Sequence, residues 1–347
     1  MAAEIKTKAQ QRQPVLLSRI EDDTQDVVTM AAFTPNEEGI ITVSIDKYEY
    51  EVSEDYNQIT HRRKYLAHQK QVTGCNYTHQ TEVMIACGKD KYITWHWTKN
   101  GQRFGGYQTP SQPYCLQYDL QSHYVFAGLA SGEITVLKIN KNESQLITQL
   151  KGHSGSVACL CWDPKQEILY SGSADKSIIL WDIGSNKGTA IELQGHRSKV
   201  TSLQYAQHTQ QLLSTSLDGS LVIWNMEIKR KETPIWQESN QCIKCKQPFF
   251  WNFKQMWSDK TVGLRQHHCR KCGIAVCASC SSKRTTIPLF GFEFEVRVCD
   301  ECHESVTEEQ RAPTATFHDL KQSTIMLYPD WSKCRFVSTG NDRTIKV

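Results

Sequence analysis

The sequence predicts a mostly β fold built from repeated short-strand units and interrupted once by a cysteine-rich module. Two observations carry this. Residues 152–182 (GHSGSVACLCWDPKQEILYSGSADKSIILWD) and 195–225 (GHRSKVTSLQYAQHTQQLLSTSLDGSLVIWN) show the same order of alternating apolar runs and turns. Eight of the 14 cysteines fall between 242 and 302, in four C-x-x-C pairs. The 347 residues, 39% of them hydrophobic, are enough for a large core. A net charge of +3 offers no whole-molecule field for nucleic acid, so any basic site has to be local.

The repeats come first in the chain. The turn position before each third strand falls at Asp46, Asp90, Ser131, Asp175, Asp218 and Asp342. The first five are 44, 41, 44 and 43 residues apart, the period of β-propeller blades. The last gap is 124 residues. Removing one repeat leaves about 80 for an inserted domain, and the cysteine cluster lies there.

These repeats resemble the WD40 family, most clearly in Gly152-His153, Asp175, Trp181-Asp182 and Gly195-His196, Asp218, Trp224-Asn225. The resemblance implies that each His, turn Asp and Trp form a hydrogen-bonded set tying one blade together. Two places depart from the pattern. Val52 stands six residues after Asp46, where later repeats have Trp181 and Trp224, and the chain stops at Val347, one residue before the final Trp position. Relatives of this architecture have one blade more than the six repeats countable here, and the first stretch looks like the front of one repeat joined to the back of the next. A strand near 14–20 (PVLLSRI) is expected to pair with the last blade. The expected organisation is 1–229 as repeats one to five of a WD40 propeller, 230–308 as a zinc finger, and 309–347 as a truncated last repeat.

The N-terminus, MAAEIKTKAQQRQP, has no apolar signal region, and no run of 18 apolar residues occurs. In a reducing compartment the cysteine cluster reads as a metal site rather than a disulfide framework. Its pattern, C-x2-C-x23-C-x2-C-x4-C-x2-C-x18-C-x2-C, offers eight thiolates, enough for two structural zinc ions with closed coordination. The candidate ligands are Cys242, Cys245, Cys269, Cys272, Cys277, Cys280, Cys299 and Cys302. Spacing alone leaves open which four share a metal.

Around the second pair runs RQHHCRKCG, with Arg265, His267, His268 and Arg270, and EVRVC places Arg297 two residues before Cys299. Such cations can simply balance the negative zinc–thiolate clusters. A strand edge bearing guanidiniums and imidazoles also suits a phosphate monoester with neighbouring hydroxyls.

Over about 70 residues, RQHHCRKCG, the eight cysteines and RVC resemble the FYVE finger, a reader of phosphatidylinositol 3-phosphate on early endosomes. The whole chain resembles the small two-paralogue family of WD-repeat-and-FYVE-domain proteins, nearer its second paralogue and shortened. The resemblance implies interleaved ligation, with Cys242, Cys245, Cys277 and Cys280 on one zinc and Cys269, Cys272, Cys299 and Cys302 on the other. It implies that Arg270 and Arg297 hold the 3-phosphate, that His268 reaches inositol hydroxyls, and that Arg265 and His267 complete the pocket. Val262, Gly263 and Leu264, in TVGL, match a membrane-dipping turn. Gln266 replaces a basic residue of the family's run, and WQES (236–239) lacks the acid of its W-x-x-D; both departures imply looser lipid selection.

The expected function is that of a peripheral adaptor in the cytoplasm and on the early endosome membrane. Its finger would bind the lipid and its propeller would bind protein partners such as protein kinases or trafficking proteins, with no nucleic acid. No G-x-S-x-G, Walker A or H-E-x-x-H motif suggests an enzyme. The alternatives are a FYVE-related finger that binds protein only, and a RING-type ubiquitin ligase. The RING reading is disfavoured because eight cysteines suffice without a histidine ligand.

Overall fold

Alternating β-branched and aromatic residues between turn residues generate short strands, and the strands assemble into blades. The computed structural model describes residues 28–33, 40–44, 48–52, 61–66, 68–78, 82–140, 143–184, 188–321, 323–330, 335–340 and 345–346. Blade 1 comprises Val28–Phe33, Ile40–Ser44, Tyr48–Val52 and His61–Leu66. Blade 2 runs from Val72–Thr78 to Arg103–Gln108, blade 3 from Pro113–Tyr118 to Ser144–Lys151, and blade 4 from Val157–Asp163 to Ala190–Gln194. In each, four consecutive strands pair antiparallel through hairpins. The expected strand at 14–20 and the turn positions Asp46 and Asp342 lie outside the described residues.

The first strand of each blade packs against the first strand of the next, from blade 2 through blade 6, which makes it the innermost. Burial follows this radial order. Val83–Gly88, a second strand, is buried throughout, whereas the outer strand Ser144–Lys151 is largely exposed. The apolar cores therefore lie between blades. One joins Tyr170, Leu180 and Leu193 of blade 4 to Val200, Leu212 and Trp224 of blade 5. Others join blade 2 to blade 3 and blade 3 to blade 4.

The expected polar set is present in blade 4, with one member the sequence did not reveal. Trp181 Nε1 donates to Ser171 Oγ at 2.8 Å, Ser171 Oγ lies 2.8 Å from His153 Nε2, and His153 Nδ1 donates to Asp175 Oδ2 at 3.0 Å. Ser171, on the second strand, is thus the bridge. In blade 5, Ser214 bridges Trp224 and His196 in the same way, but His196 Nδ1 meets Ser220 Oγ at 3.0 Å rather than Asp218. In blade 2, Asp90 receives His68 Nδ1 at 3.0 Å.

Blade 5 shows how the finger is inserted. Its first three strands are Val200–Ala206, Gln211–Ser216 and Ser220–Asn225; its outer strand is Ala315–Asp319, beyond the finger, with Trp224 opposite Ala315 and Ser220 opposite Asp319. The finger therefore interrupts blade 5 between its third and fourth strands. The last sequence repeat begins with that outer strand before forming blade 6, Thr324–Asp330, Arg335–Gly340 and Ile345–Lys346. Entry and exit are stitched together. Asn225 N–H donates to Thr314 O at 2.9 Å, Arg230 donates to Asn225 O and Thr314 Oγ1, each at 2.9 Å, and Thr314 N–H donates to Glu293 at 3.1 Å.

The finger also leans on blade 4. Two of its strands, Arg284–Ile287 and Phe292–Arg297, extend the blade 4 sheet, with Gln194 beside Phe292 in parallel. The Arg197 guanidinium, just past the outer strand of blade 4, lies 5.4 Å from the Phe294 ring centre. Among the described residues no helix is long and apolar enough to cross a membrane.

Candidate metal centres and basic cleft

The eight cysteines collect into two quartets. The thiols of Cys242, Cys245, Cys277 and Cys280 lie within 4.8 Å of one another, as do those of Cys269, Cys272, Cys299 and Cys302. This is the interleaved grouping that the family resemblance implied. The pairs Cys245–Cys277 and Cys272–Cys299 are 3.7 and 3.9 Å apart, close to the edge of about 3.8 Å expected of a tetrahedron with zinc–sulfur bonds near 2.3 Å. Backbone N–H groups point at the sulfurs, Cys277 N to Cys242 Sγ at 3.4 Å and Cys299 N to Cys269 Sγ at 3.3 Å.

The thiols themselves call for a cation. Burial opposes ionisation of Cys277, but the Ser279 hydroxyl and adjacent groups draw its thiol down to about 6. Burial and its thiol neighbours push Cys280 up to about 12. Four crowded sulfurs cannot all ionise alone, whereas Zn²⁺ lets them. Two structural zinc ions fit, each with all four positions filled. Several ligands also sit in the finger core with Phe249, Val276, Ile287 and Phe292, so metal and apolar packing support one another.

Beside the quartets, His267, His268, Arg270 and Arg297 line one cleft of about 360 Å³. His267 and His268 form a two-residue strand opposite Val276 and Ala275. The backbone N–H of Arg270 donates to Arg297 O at 3.0 Å, which joins the two basic stretches. Arg265 is exposed and is not among the lining residues, although its charge acts on His267.

The cleft also contains residues the sequence reading did not place there. Arg284 stands opposite Arg297 across an antiparallel pair, an arrangement of like charges that costs energy until an anion lies between them. Trp236 stacks on His268, with centroids 4.8 Å apart and planes 9° apart, and its ring centre lies 4.6 Å from the Arg270 guanidinium. The indole thereby positions both side chains. Gln266 Nε2 and His268 Nε2 are 3.3 Å apart, so the uncharged replacement supports a cleft histidine. Gln194 and Glu295 complete the walls. Glu238 of WQES is exposed and is not among the lining residues. Burial, then the guanidiniums of Arg297, Arg265 and Arg284, hold the His267 imidazole below its ordinary value.

The turn at 261–264 is less apolar at its surface than the sequence suggested. Val262 is 80% exposed. Gly263 is buried against the Phe250 backbone and Met256, where a Cβ would press on both. Leu264 is half-buried in the finger core, and its N–H donates to Pro248 O at 2.9 Å. Of the three expected apolar contacts, Val262 alone projects. Next to it lies a helix, Phe253–Asp259, none of whose residues is buried. The Asn252 side chain caps its start, and Lys260, in the left-handed region, ends it. Phe253 and Trp257 share one face of the helix, four residues apart, and are 73% and 89% exposed. Thr261 N–H to Met256 O (3.2 Å) and Phe250 N–H to Leu264 O (3.1 Å) bind helix and turn into one knob.

Comparison with known proteins agrees with this geometry. The FYVE zinc finger model matches residues 235–308, and the WD domain, G-beta repeat model matches residues 144–182 and 188–225. WD repeat and FYVE domain-containing protein 2 of Homo sapiens is 50% identical, covering 100% of this chain and 98% of that protein. WD repeat and FYVE domain-containing protein 1 of Homo sapiens is 48% identical, with 100% and 96% coverage. The first alignment spans 393 positions against the 347 residues of the chain, so about 46 positions, close to one repeat, open inside it. A chain in a crystal structure of the mitotic checkpoint complex matches with a TM-score of 0.53 at 19% identity, over 59% of this chain and 63% of that one, a likeness of fold alone. With both domain types matched and half of all positions shared over the full chain, this protein belongs to the WD repeat and FYVE domain-containing protein family.

Proposed function

We propose that the chain is a peripheral adaptor of early endosomes that reads phosphatidylinositol 3-phosphate with its finger and holds protein partners on its propeller. The observation that carries this reading is the cleft in which Arg270, Arg284, Arg297, His267 and His268 converge beside an exposed apolar knob. Guanidiniums take a phosphate in bidentate fashion, and imidazoles suit either phosphate or the ring hydroxyls next to it.

The knob supplies the second signal that a single headgroup needs for stable anchoring. Phe253, Trp257 and Val262 are apolar and exposed, and Lys254, Lys260 and Arg265, exposed nearby, favour an anionic surface. Aromatic side chains prefer the membrane interface. Neither zinc keeps an open position for substrate, so the metals serve the fold of the finger. Protein kinases or trafficking proteins are the partner class for the propeller, whose stiff blades and irregular loops make a docking scaffold.

The test is sedimentation of the full chain with vesicles carrying phosphatidylinositol 3-phosphate, phosphatidylinositol 4-phosphate, phosphatidylinositol 3,5-bisphosphate or no phosphoinositide. Preferential recovery with the first supports the reading. Equal recovery with all four would sink it.

A further inference from the structure

The finger does not build its cleft alone. One lining side chain, Gln194, belongs to the propeller, on the outer strand of blade 4, Ala190–Gln194. Its backbone is held firmly, since its N–H donates to Gly291 O at 2.8 Å and it pairs with Phe292. Gly291 has φ +84°, and any Cβ there would collide with the Glu192 carbonyl oxygen. Only glycine lets the finger approach the blade this closely. The Gln194 side chain is oriented as well, because Nε2 donates to Glu192 Oε1 at 2.7 Å. A carboxamide with one N–H so used keeps a second N–H and a carbonyl oxygen for a ligand.

The chemistry of the walls is uneven. Arg270, Arg284 and Arg297 supply positive charge, whereas Gln194 is neutral and Glu295, on Phe292–Arg297, is a carboxylate. Glu238, in the segment where the family places its selectivity acid, is not among the lining residues. Discrimination between ring hydroxyls and further ring phosphates therefore falls to the walls that carry no cation. A carboxamide both donates to and accepts from a hydroxyl, while offering a second phosphate no charge. Resting on the phosphoinositide reading above, we infer that Gln194 of the propeller is a specificity-determining residue of the headgroup site, which is shared between the two domains.

The test uses the full, zinc-loaded chain and two soluble headgroups, inositol 1,3-bisphosphate and inositol 1,3,5-trisphosphate, titrated by calorimetry. Wild type is expected to prefer the bisphosphate. Gln194→Arg adds a cation to the neutral wall and is expected to shift the affinity ratio at least ~10-fold toward the trisphosphate, the scale of one charge-assisted hydrogen bond. Gln194→Glu is expected to weaken both ligands ~10-fold through repulsion. Docking of the blade uses the Gln194 backbone, so both variants should retain zinc content and melting temperature. If Gln194→Arg fails to fold, the Gln194→Glu result decides. A ratio unchanged in Gln194→Arg, or affinities unchanged in Gln194→Glu, overturns the inference and leaves the lipid reading standing. A wild-type chain that binds neither headgroup overturns the lipid reading and this inference with it.

Discussion

Replacing Phe253 and Trp257 together by serine should cost the protein most of its hold on vesicles. Large aromatics bury 150–250 Å² each, so side chains 73% and 89% exposed leave about 300 Å² of mainly apolar surface open between them. Sinking half of that into the interface, at ~25 cal/mol per Å², is worth about 4 kcal/mol. Val262, also exposed but smaller, is worth about 1 kcal/mol by the same reckoning. The double variant should therefore bind vesicles of phosphatidylinositol 3-phosphate about 100-fold or more weakly, and Val262→Ser about fivefold more weakly. Neither should change affinity for the soluble headgroup, which the knob does not touch. Sedimentation against lipid concentration measures the first, and calorimetry the second. If Val262→Ser costs more than the double variant, or the double variant costs less than about threefold, the helix does not meet the bilayer.

Removing zinc should unfold residues 236–305 while the propeller keeps most of its β signal, because quartets and apolar residues share one core in the finger; metal analysis should count two zinc ions per chain, and one or none would refute the ligand assignment. Ser171→Ala should destabilise the propeller by about 3 kcal/mol, because Trp181 Nε1 and His153 Nε2 both lose their buried partner; a thermal midpoint equal to wild type would show that the serine is no bridge. Burial raises the Asp175 carboxyl, yet hydrogen bonds from His153 and Ser177 outweigh it and hold the group well below its ordinary value. A carboxyl depressed in the fold stabilises above its unfolded pKa, near 3.9, and that contribution drains away as pH falls toward the folded value. Asp175→Asn should accordingly flatten the loss of thermal stability below about pH 4, and an unchanged slope in the variant would refute the assignment.

How much of this was legible depends on whether the signal was local. The repeat period, the His153, Asp175 and Trp181 set and the eight cysteines are local signals, and each led to the structure observed, whereas in blade 5 His196 meets Ser220 and not the expected Asp218. The bridge at Ser171 escaped notice because a serine in a strand looks like any other polar residue until its neighbours are known. The place of insertion escaped for a topological reason. A sequence repeat is offset by one strand from a blade, so the partner of Ser220–Asn225 is Ala315–Asp319, across the whole finger. In the cleft, the basic motif named His267, His268, Arg270 and Arg297, but Arg284 arrives by strand pairing and Gln194 by the docking of two domains. The aromatic run FFWNF, residues 249–253, divides in a way no periodicity reports. Phe249 is fully buried in the finger core, while Phe253 stands outside on a capped helix.

The same docking bears on how an adaptor of this kind would present its cargo. A finger on a free linker would let the propeller tumble above the membrane, and partners would meet the bilayer at any angle. Here the finger leaves and rejoins the propeller at Asn225 and Thr314, which are bonded to each other, and it is braced on blade 4 through the Gln194 N–H bond to Gly291 O. Swinging it would break those backbone bonds. The basic cleft and the aromatic knob thus keep a set orientation relative to the blades. The finger's strands pair with the edge of blade 4, and the outer strands of blades 2 and 3, Arg103–Gln108 and Ser144–Lys151, are left unpaired by it. A partner bound there would be held at a defined height and angle, which raises its effective concentration at the membrane by geometry rather than by added affinity.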